Sequence, residues 1–327
     1  MIDKNIHIIS FDVPYPADYG GVIDVFYRIK ALYELGFKIS LHCFEYGRGE
    51  QKDLENYTEK VTYYKRKKSP IKWFAKDPFI VTTRSSNELL ENIKGDDFPI
   101  LFEGLHTTRL LGNDFLSDRI KIVRMHNIEH EYYDGLAKSS TGLKRTYFAS
   151  EAFKLKRFEP ILKFADYILA IKESDQDYFK KYGRTVLYLP VSVPEIDVSF
   201  IKTKDYCLFH GNLSVSENDS AARWLIEHVF IPLKLNHKLF VAGKNPQKDL
   251  SELCAKHQVS LISNPSEEEL KTLIQNARVH TLYSDQTTGV KLKLINALQS
   301  SGHLIVSPAM VAGTIYAEVC SVAEDVE

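Results

Sequence analysis

The amino-acid sequence predicts an α/β protein with two parallel-sheet domains, on three observations. Short β-rich runs alternate with helical patterns through almost the whole chain, as parallel strands joined by crossover helices do. The alternation breaks once, at a proline-bearing stretch, and then restarts. The chain's 327 residues, 44% of them hydrophobic, exceed one ordinary domain and can fill two apolar cores.

In the first half, strands are expected at 6–11, 38–44, 99–103, 120–125, 167–171 and 185–189. A long helix is expected over 143–164, where Leu143, Tyr147, Phe148, Ala152, Leu155, Phe158 and Leu162 recur at helical spacing. Residues 190–202 contain Pro190 and Pro194 and no clear period, so they read as a linker, since proline resists helix and central strand alike. This places an N-terminal domain over 1–195 and a C-terminal one over 203–327. Strands resume at 206–210, 238–242, 259–262, 279–283 and 303–307. The chain stops at Glu327 soon after the last, so the second domain is expected to be incomplete. No short internal repeat or low-complexity tract occurs, and the halves correspond as architecture alone.

Composition narrows the function. The 42 Lys and Arg nearly cancel the 43 Asp and Glu, leaving no global positive field to hold nucleic acid. Cys43, Cys207, Cys254 and Cys320 lie far apart without a CxxC pair, which fits a reducing cytoplasm. The N-terminus lacks the basic start and apolar core of an export signal. The apolar stretch 304–323 is broken by Pro308, Gly313 and Glu318, too early to span a bilayer.

Several segments carry residue types suited to phosphate or sugar. Gly20 and Gly21 stand before an amphipathic helix, where a ligand can approach bare backbone and free N–H groups; the alternative is a flexible turn capped by Asp18. Asp24 and Arg28 follow at i and i+4, a spacing that pairs on a helix. In the second half, Gly211 and Asn212 end a strand, with Asn218 suited to an N-cap. Gly243 and Lys244 end the next strand, placing a cation at the same sheet edge. The segment SDQTTGVKLKLINALQSSGHLIVS runs through Thr288 into a helix expected to open at Gly289. Amides of Gly289, Val290 and Lys291 there suit a diphosphate, with Lys291 and Lys293 adding charge.

His126 and Asn127 follow a strand, and His126, Glu129 and His130 spell H-x-x-E-H. Zinc binding by that motif requires both histidines on one helical face. A His126 just past a strand lies on a loop, so no metal is expected; it either bonds a loop backbone or serves a ligand. The run YYKRKKSPIKWFAKDPF gathers five basic residues from Lys65 to Lys72 among aromatics. Such a run is a solvated loop or the contact with an anionic membrane face.

Together PYPADYGG, Asp24 to Arg28, RMHNIEHEYY, HGNL with SEN, VAGKNP and TGVKLKLINALQSSGHLIV resemble family 4 of the retaining GT-B glycosyltransferases, particularly bacterial members that build surface polysaccharides. The resemblance spans essentially the whole chain. It implies a GT-B fold, two Rossmann-like domains whose parallel sheets face a central cleft. It also implies transfer of a hexose from a nucleotide-diphosphate sugar to a saccharide or lipid-linked acceptor, with retained configuration, no metal and no cofactor beyond that substrate. By the same likeness His126 contacts the donor sugar, while Gly20 and Gly21 shape the acceptor and sugar-phosphate side. The family's paired glutamates fall at Thr288 and Asn296, and Lys293 matches a lysine of related members. Asn212 and Asn218 stand where many members carry Arg and Lys, so Lys244, Lys291 and Lys293 would supply the positive charge. Those departures motivate the alternative of a non-catalytic GT-B protein that binds sugar or a partner enzyme. A zinc hydrolase, or an epimerase on the same scaffold, is a more distant option. The expected location is the cytoplasm, with contact at the inner membrane face an option.

Overall fold

The computed structural model describes residues 4–194, 204–287 and 289–324, apart from the side chains of Pro70 and Phe74. The expected linker beyond residue 194 and Thr288 therefore lie outside the described residues. The chain divides into two compact units, Met1–Pro194 and Glu195–Glu327.

The first unit carries β1 (Asn5–Ser10), β2 (Lys38–Glu45), β3 (Lys60–Lys65), β4 (Ile100–Glu103), β5 (Lys121–Met125), β6 (Tyr167–Ala170) and β7 (Thr185–Tyr188). They form one sheet in the order β3-β2-β1-β4-β5-β6-β7, every neighbouring pair parallel. Strands covered on both faces need apolar side chains on both. In β1 Ile8 joins one buried cluster with Val22, Val25 and Ile29 of the helix Gly20–Glu34, while Ile9 joins the other with Phe102 and Val123. The order reverses between β1 and β4, and crevices at such reversals, beyond the strands' carboxyl ends, are where open sheets hold ligands.

Two expectations need correction here. The run from Lys60 to Lys65 is strand β3, paired with β2, so the basic stretch starts inside the sheet. Its lysine-flanked edge position hid it, because an edge strand need not be apolar throughout. The long helix ends at Phe158 and continues as a 3-10 turn, Glu159–Phe164, because Pro160 has no N–H and crowds the preceding turn. Leu155 and Leu162 are buried, but Leu143 is 90% exposed. Glu151 is buried in its place, accepting from Phe79 N–H at 2.6 Å and Lys154 Nζ at 2.8 Å.

The second unit contains β8 (Lys204–His210), β9 (Leu239–Gly243), β10 (Ser260–Ser263), β11 (Ala277–Leu282), β12 (His303–Val306) and the short β13 (Ser321–Val322), which the sequence reading lacked. Their order is β10-β9-β8-β11-β12-β13, again wholly parallel and again reversing beside the first strand. Phe209, Val241, Ala222, Ile226 and Leu250 pack one face. Among the described residues no helix is long and apolar enough to cross a membrane, and the four cysteines are unpaired.

Candidate functional site

In the first unit, the carboxyl edge at the β1/β4 reversal holds a buried charge cluster. Arg28 donates to Asp24 Oδ2 at 2.8 Å and, through Nε and Nη2, to both oxygens of Glu103 at 3.0 Å. Arg124, wholly buried in the middle of β5, reaches Asp24 Oδ2 at 3.1 Å and the Pro190 carbonyl at 3.0 Å. Burial works against ionising Asp24, but Arg28, Arg124 and His126 outweigh it and hold the carboxyl far below the usual range. Burial likewise opposes the Glu103 charge, and Arg28 beside it prevails. Two carboxylates against two guanidinia make a near-neutral set, which is how charges survive in a low-dielectric interior.

His126 belongs to this set. Its Nε2 lies within hydrogen-bond distance of Glu103 Oε2, 3.0 Å, and its Nδ1 stands 3.6 Å from Asp24 Oδ2, so it bonds a carboxylate rather than a loop backbone. It stands on the loop between β5 and the helix Glu129–Lys138. His130 turns away to Glu159 at 3.2 Å, so the H-x-x-E-H residues do not converge. Among the described residues the ligand atoms of Asp24, Glu103 and His126 do gather within 4.8 Å of one another. Arg28 and Arg124 already occupy those carboxylates and would repel a cation.

Gly20 opens the 15-residue helix and Tyr19 is its N-cap, without a side-chain cap bond. Asp18 pairs instead with Arg48 at 2.9 Å, so the alternative of an Asp18-capped turn does not hold, and among the described residues no side chain caps the helix start. Gly21 packs on Phe11: a Cβ there would sit 2.6 Å from the ring.

In the second unit, Gly211, Asn212, Asn218 and Lys293 converge beyond the end of β8. Lys293 Nζ donates to Asn218 Oδ1 at 3.0 Å and the Tyr283 carbonyl at 3.1 Å, and lies 5.1 Å from the Phe209 ring centroid. Burial, only partly countered by Glu217, pulls its ammonium down to about 8. Asn218 Nδ2 donates to the Asn212 carbonyl at 3.0 Å. Asn218 lies inside the helix Ser216–Trp224, whose N-cap is Val215, so it is a ligand of Lys293 rather than a cap. Lys291 Nζ lies 3.9 Å from Glu217 Oε1, which also accepts from Ser284 Oγ. His210, the last residue of β8, is buried with neither ring nitrogen hydrogen-bonded to a described residue.

The helix expected to open at Gly289 begins at Leu292 with Lys291 as N-cap. Gly289 has φ +66° and turns the chain before it, so Gly289 and Val290 precede the helix. Asn296 is half-buried within it, and Lys244 is exposed just past β9. Gly243 must stay bare, because a Cβ there would lie 1.8 Å from the Gly211 carbonyl oxygen.

Two wholly parallel sheets with this strand order match solved glycosyltransferases. The chain superposes on HepE of Anabaena, solved with UDP-glucose, at a TM-score of 0.63 and 11% identity, covering 98% of this chain and 86% of that one. The fold is GT-B. A glycosyltransferase from Rickettsia africae gives a TM-score of 0.59 at 13% identity, with 96% and 81% covered. TarM of S. aureus, solved with UDP and α-GlcNAc-glycerol, gives 0.60 at 10%, with 93% and 86% covered. In sequence, the chain is 27% identical over 317 residues to an uncharacterized 44.6 kDa protein in the cps region of Klebsiella pneumoniae, spanning 90% of this chain and 81% of that one. No family model matches the sequence.

The sequence reading missed Glu103, Arg124 and Glu217. The signal for the first two was present: a lone charge within ILFE and within IVRM sits in a run too apolar for solvent, and a buried charge needs a partner. Glu217 carries no such mark, since SEN is an ordinary helix start.

Proposed function

We propose that this protein transfers a hexose from a nucleotide-diphosphate sugar to a saccharide or lipid-linked acceptor, retaining the anomeric configuration and using no metal. One observation carries the reading: the desolvated Lys293 ammonium at the carboxyl edge of the second sheet, beside Gly211, Asn218 and His210, whose ring has no hydrogen-bond partner among the described residues. A half-buried cation beside a bare glycine at a strand's carboxyl end is suited to the diphosphate of a leaving nucleotide, whose developing charge it would stabilise. Proteins of the same fold solved with UDP or UDP-glucose, and a relative in a cps region, support that substrate class.

On this reading Lys293 meets the diphosphate, Lys291 and Lys244 add charge, and Asn296 offers one neutral hydrogen bond to the ribose. In the first unit His126, held by Glu103, offers a sugar hydroxyl an imidazole fixed in direction. Gly20 and Gly21 leave room for the acceptor. The acceptor oxygen bonds the anomeric carbon from the face the nucleotide diphosphate leaves, the bond from that carbon to the phosphate oxygen breaks, and the hydroxyl proton passes to the departing phosphate oxygen, with water excluded and no protein nucleophile.

The test is a titration of UDP-, GDP- and ADP-sugars followed by calorimetry. The best binder should lose about 1–3 kcal/mol in Lys293→Ala; unchanged affinity would remove the site. A second reading, binding without turnover, draws on the asparagine at position 296. Product release that disappears in His126→Ala while binding survives would exclude it.

A further inference from the structure

We infer that Arg84, Arg66 and Lys68, gathered around the Tyr46 ring at the carboxyl edge of the first unit's sheet, form a subsite for a phosphoryl group. Assigning that group to the acceptor rests on the function proposed above; the binding itself does not.

Arg84 is 4% exposed, yet its hydrogen bonds go to neutral carbonyls, Phe11 O at 2.7 Å and Ile80 O at 2.8 Å. Among the described residues it makes no ion pair, and neither do Arg66 and Lys68. The Arg66 guanidinium lies 4.5 Å from the Tyr46 ring centroid, Lys68 Nζ 4.4 Å and the Arg84 guanidinium 5.7 Å. Like charges this close repel, and a buried guanidinium without a carboxylate is costly. Burial first and Arg66 second pull Arg84 down to about 10. An ordinary surface cluster would disperse, but this one is fixed. Arg66 N–H bonds the Glu45 carbonyl at 2.8 Å, Arg66 Nε bonds Thr83 Oγ1 at 3.0 Å, and Lys67 N–H bonds the Thr83 carbonyl at 3.1 Å.

One nearby carboxylate does not balance three cations. Asp12 acts favourably on Arg84 but forms no ion pair with it among the described residues, its oxygens accepting from the Tyr19 hydroxyl at 2.6 Å and Val13 N–H at 2.8 Å. Glu129 is 2% exposed, and its Oε1, 3.9 Å from His106 Nδ1, has no hydrogen-bond partner among the described residues. Burial raises its carboxyl to about 7, so near neutrality much of it is uncharged. The cluster therefore keeps a positive excess where β1, β2 and β3 end, at Phe11, Tyr46 and Arg66, and sheet carboxyl ends are ligand edges. Two guanidinia and an ammonium match the doubly charged, three-oxygen face of a phosphoryl group better than a singly charged carboxylate.

Two sources share this chemistry: a soluble sugar phosphate and a lipid-linked diphosphate. Full-length protein saturated with UDP would be titrated with glucose 1-phosphate, farnesyl diphosphate in mild detergent, and methyl glucoside. At least one phosphate probe should bind, methyl glucoside should not compete, and Arg66→Ala/Lys68→Ala should weaken the phosphate by tenfold or more. Lys68→Ala alone, at an exposed position, should weaken it by a smaller factor with the thermal midpoint unchanged, which covers a folding defect in the double variant. Loss confined to farnesyl diphosphate names the lipid source, loss confined to glucose 1-phosphate names a soluble acceptor, and loss for both places recognition on the phosphoryl group they share. Equal phosphate affinity in wild type and variants overturns the subsite. So does variant-sensitive association with phosphatidylglycerol vesicles but with neither probe, which would make the cluster a membrane contact. UDP affinity in these rim variants should stay at the wild-type value, and its dependence on Lys293 is read separately, so this inference and the proposed function can fail independently.

Discussion

Lys293 concentrates the argument at the scale of single residues. A lysine in water stays charged well beyond neutral pH, but this one, desolvated against Phe209, is drawn down to about 8. Its folded value lies below the unfolded one, so holding it charged costs stability below pH 8, a cost relieved as pH rises toward the ordinary lysine range. Ligand binding runs the other way, because a diphosphate attracts only the ammonium. UDP affinity should therefore fall by about tenfold between pH 7 and pH 9, while Lys293→Arg, charged throughout, should give a flatter profile by calorimetry. The same profile in both proteins would detach Lys293 from the nucleotide. Neither the burial nor the Asn218 contact could be read from KLKLINAL alone. The residue type and its place near a helix start were legible; the desolvation comes from Phe209 and Asn218, distant in sequence.

Among elements, the strand ends decide which side chains meet. Strands β8 and β9 are parallel neighbours, and the chain leaving each must turn at the same sheet edge. Gly243 and Gly211 make that turn so closely that a methyl group at 243 would overlap a backbone oxygen. Overpacking against backbone costs about 1–3 kcal/mol or more. Gly243→Ala should lower the denaturation midpoint accordingly, whereas Gly95→Ala, with no atom within 4 Å of its added Cβ, should be nearly silent. Equal effects in urea melts would refute the close approach. Strand positions were largely legible, since both-face burial demands apolar runs; β3 and β13 were not, because edge strands tolerate polar residues. The helix before Leu298 was placed three residues too early, since the left-handed turn at Gly289 has no apolar period to mark its end.

For the whole molecule, the buried charge cluster joins parts that lie far apart in the sequence. Asp24 comes from the first helix, Glu103 from β4, Arg124 and His126 from β5 and the loop beyond, and Asp24 also accepts the Ser192 N–H at 2.7 Å. Arg124 holds the carbonyls of Leu189 and Pro190, so the cluster also fixes the path of the chain leaving β7. Removing one member leaves an uncompensated buried charge, a loss of about 3–5 kcal/mol. Arg124→Met should show it in equilibrium unfolding, and a value within 0.5 kcal/mol or so of wild type, the scale of an ordinary surface change, would mean the cluster is not cohesive.

The sequence by itself determined the class, the strand alternation and the residue types at the sheet edges, because apolar periodicity and turn chemistry are local properties of a chain. Only the tertiary structure decided which of those residues share an environment. It took His126 away from His130 and gave it to Glu103, and it set Lys293 against Asn218. It also left Arg84 buried without an ion pair among the described residues. Charge energetics depend on distance and solvent exclusion, and both arise only when strands remote in sequence end side by side.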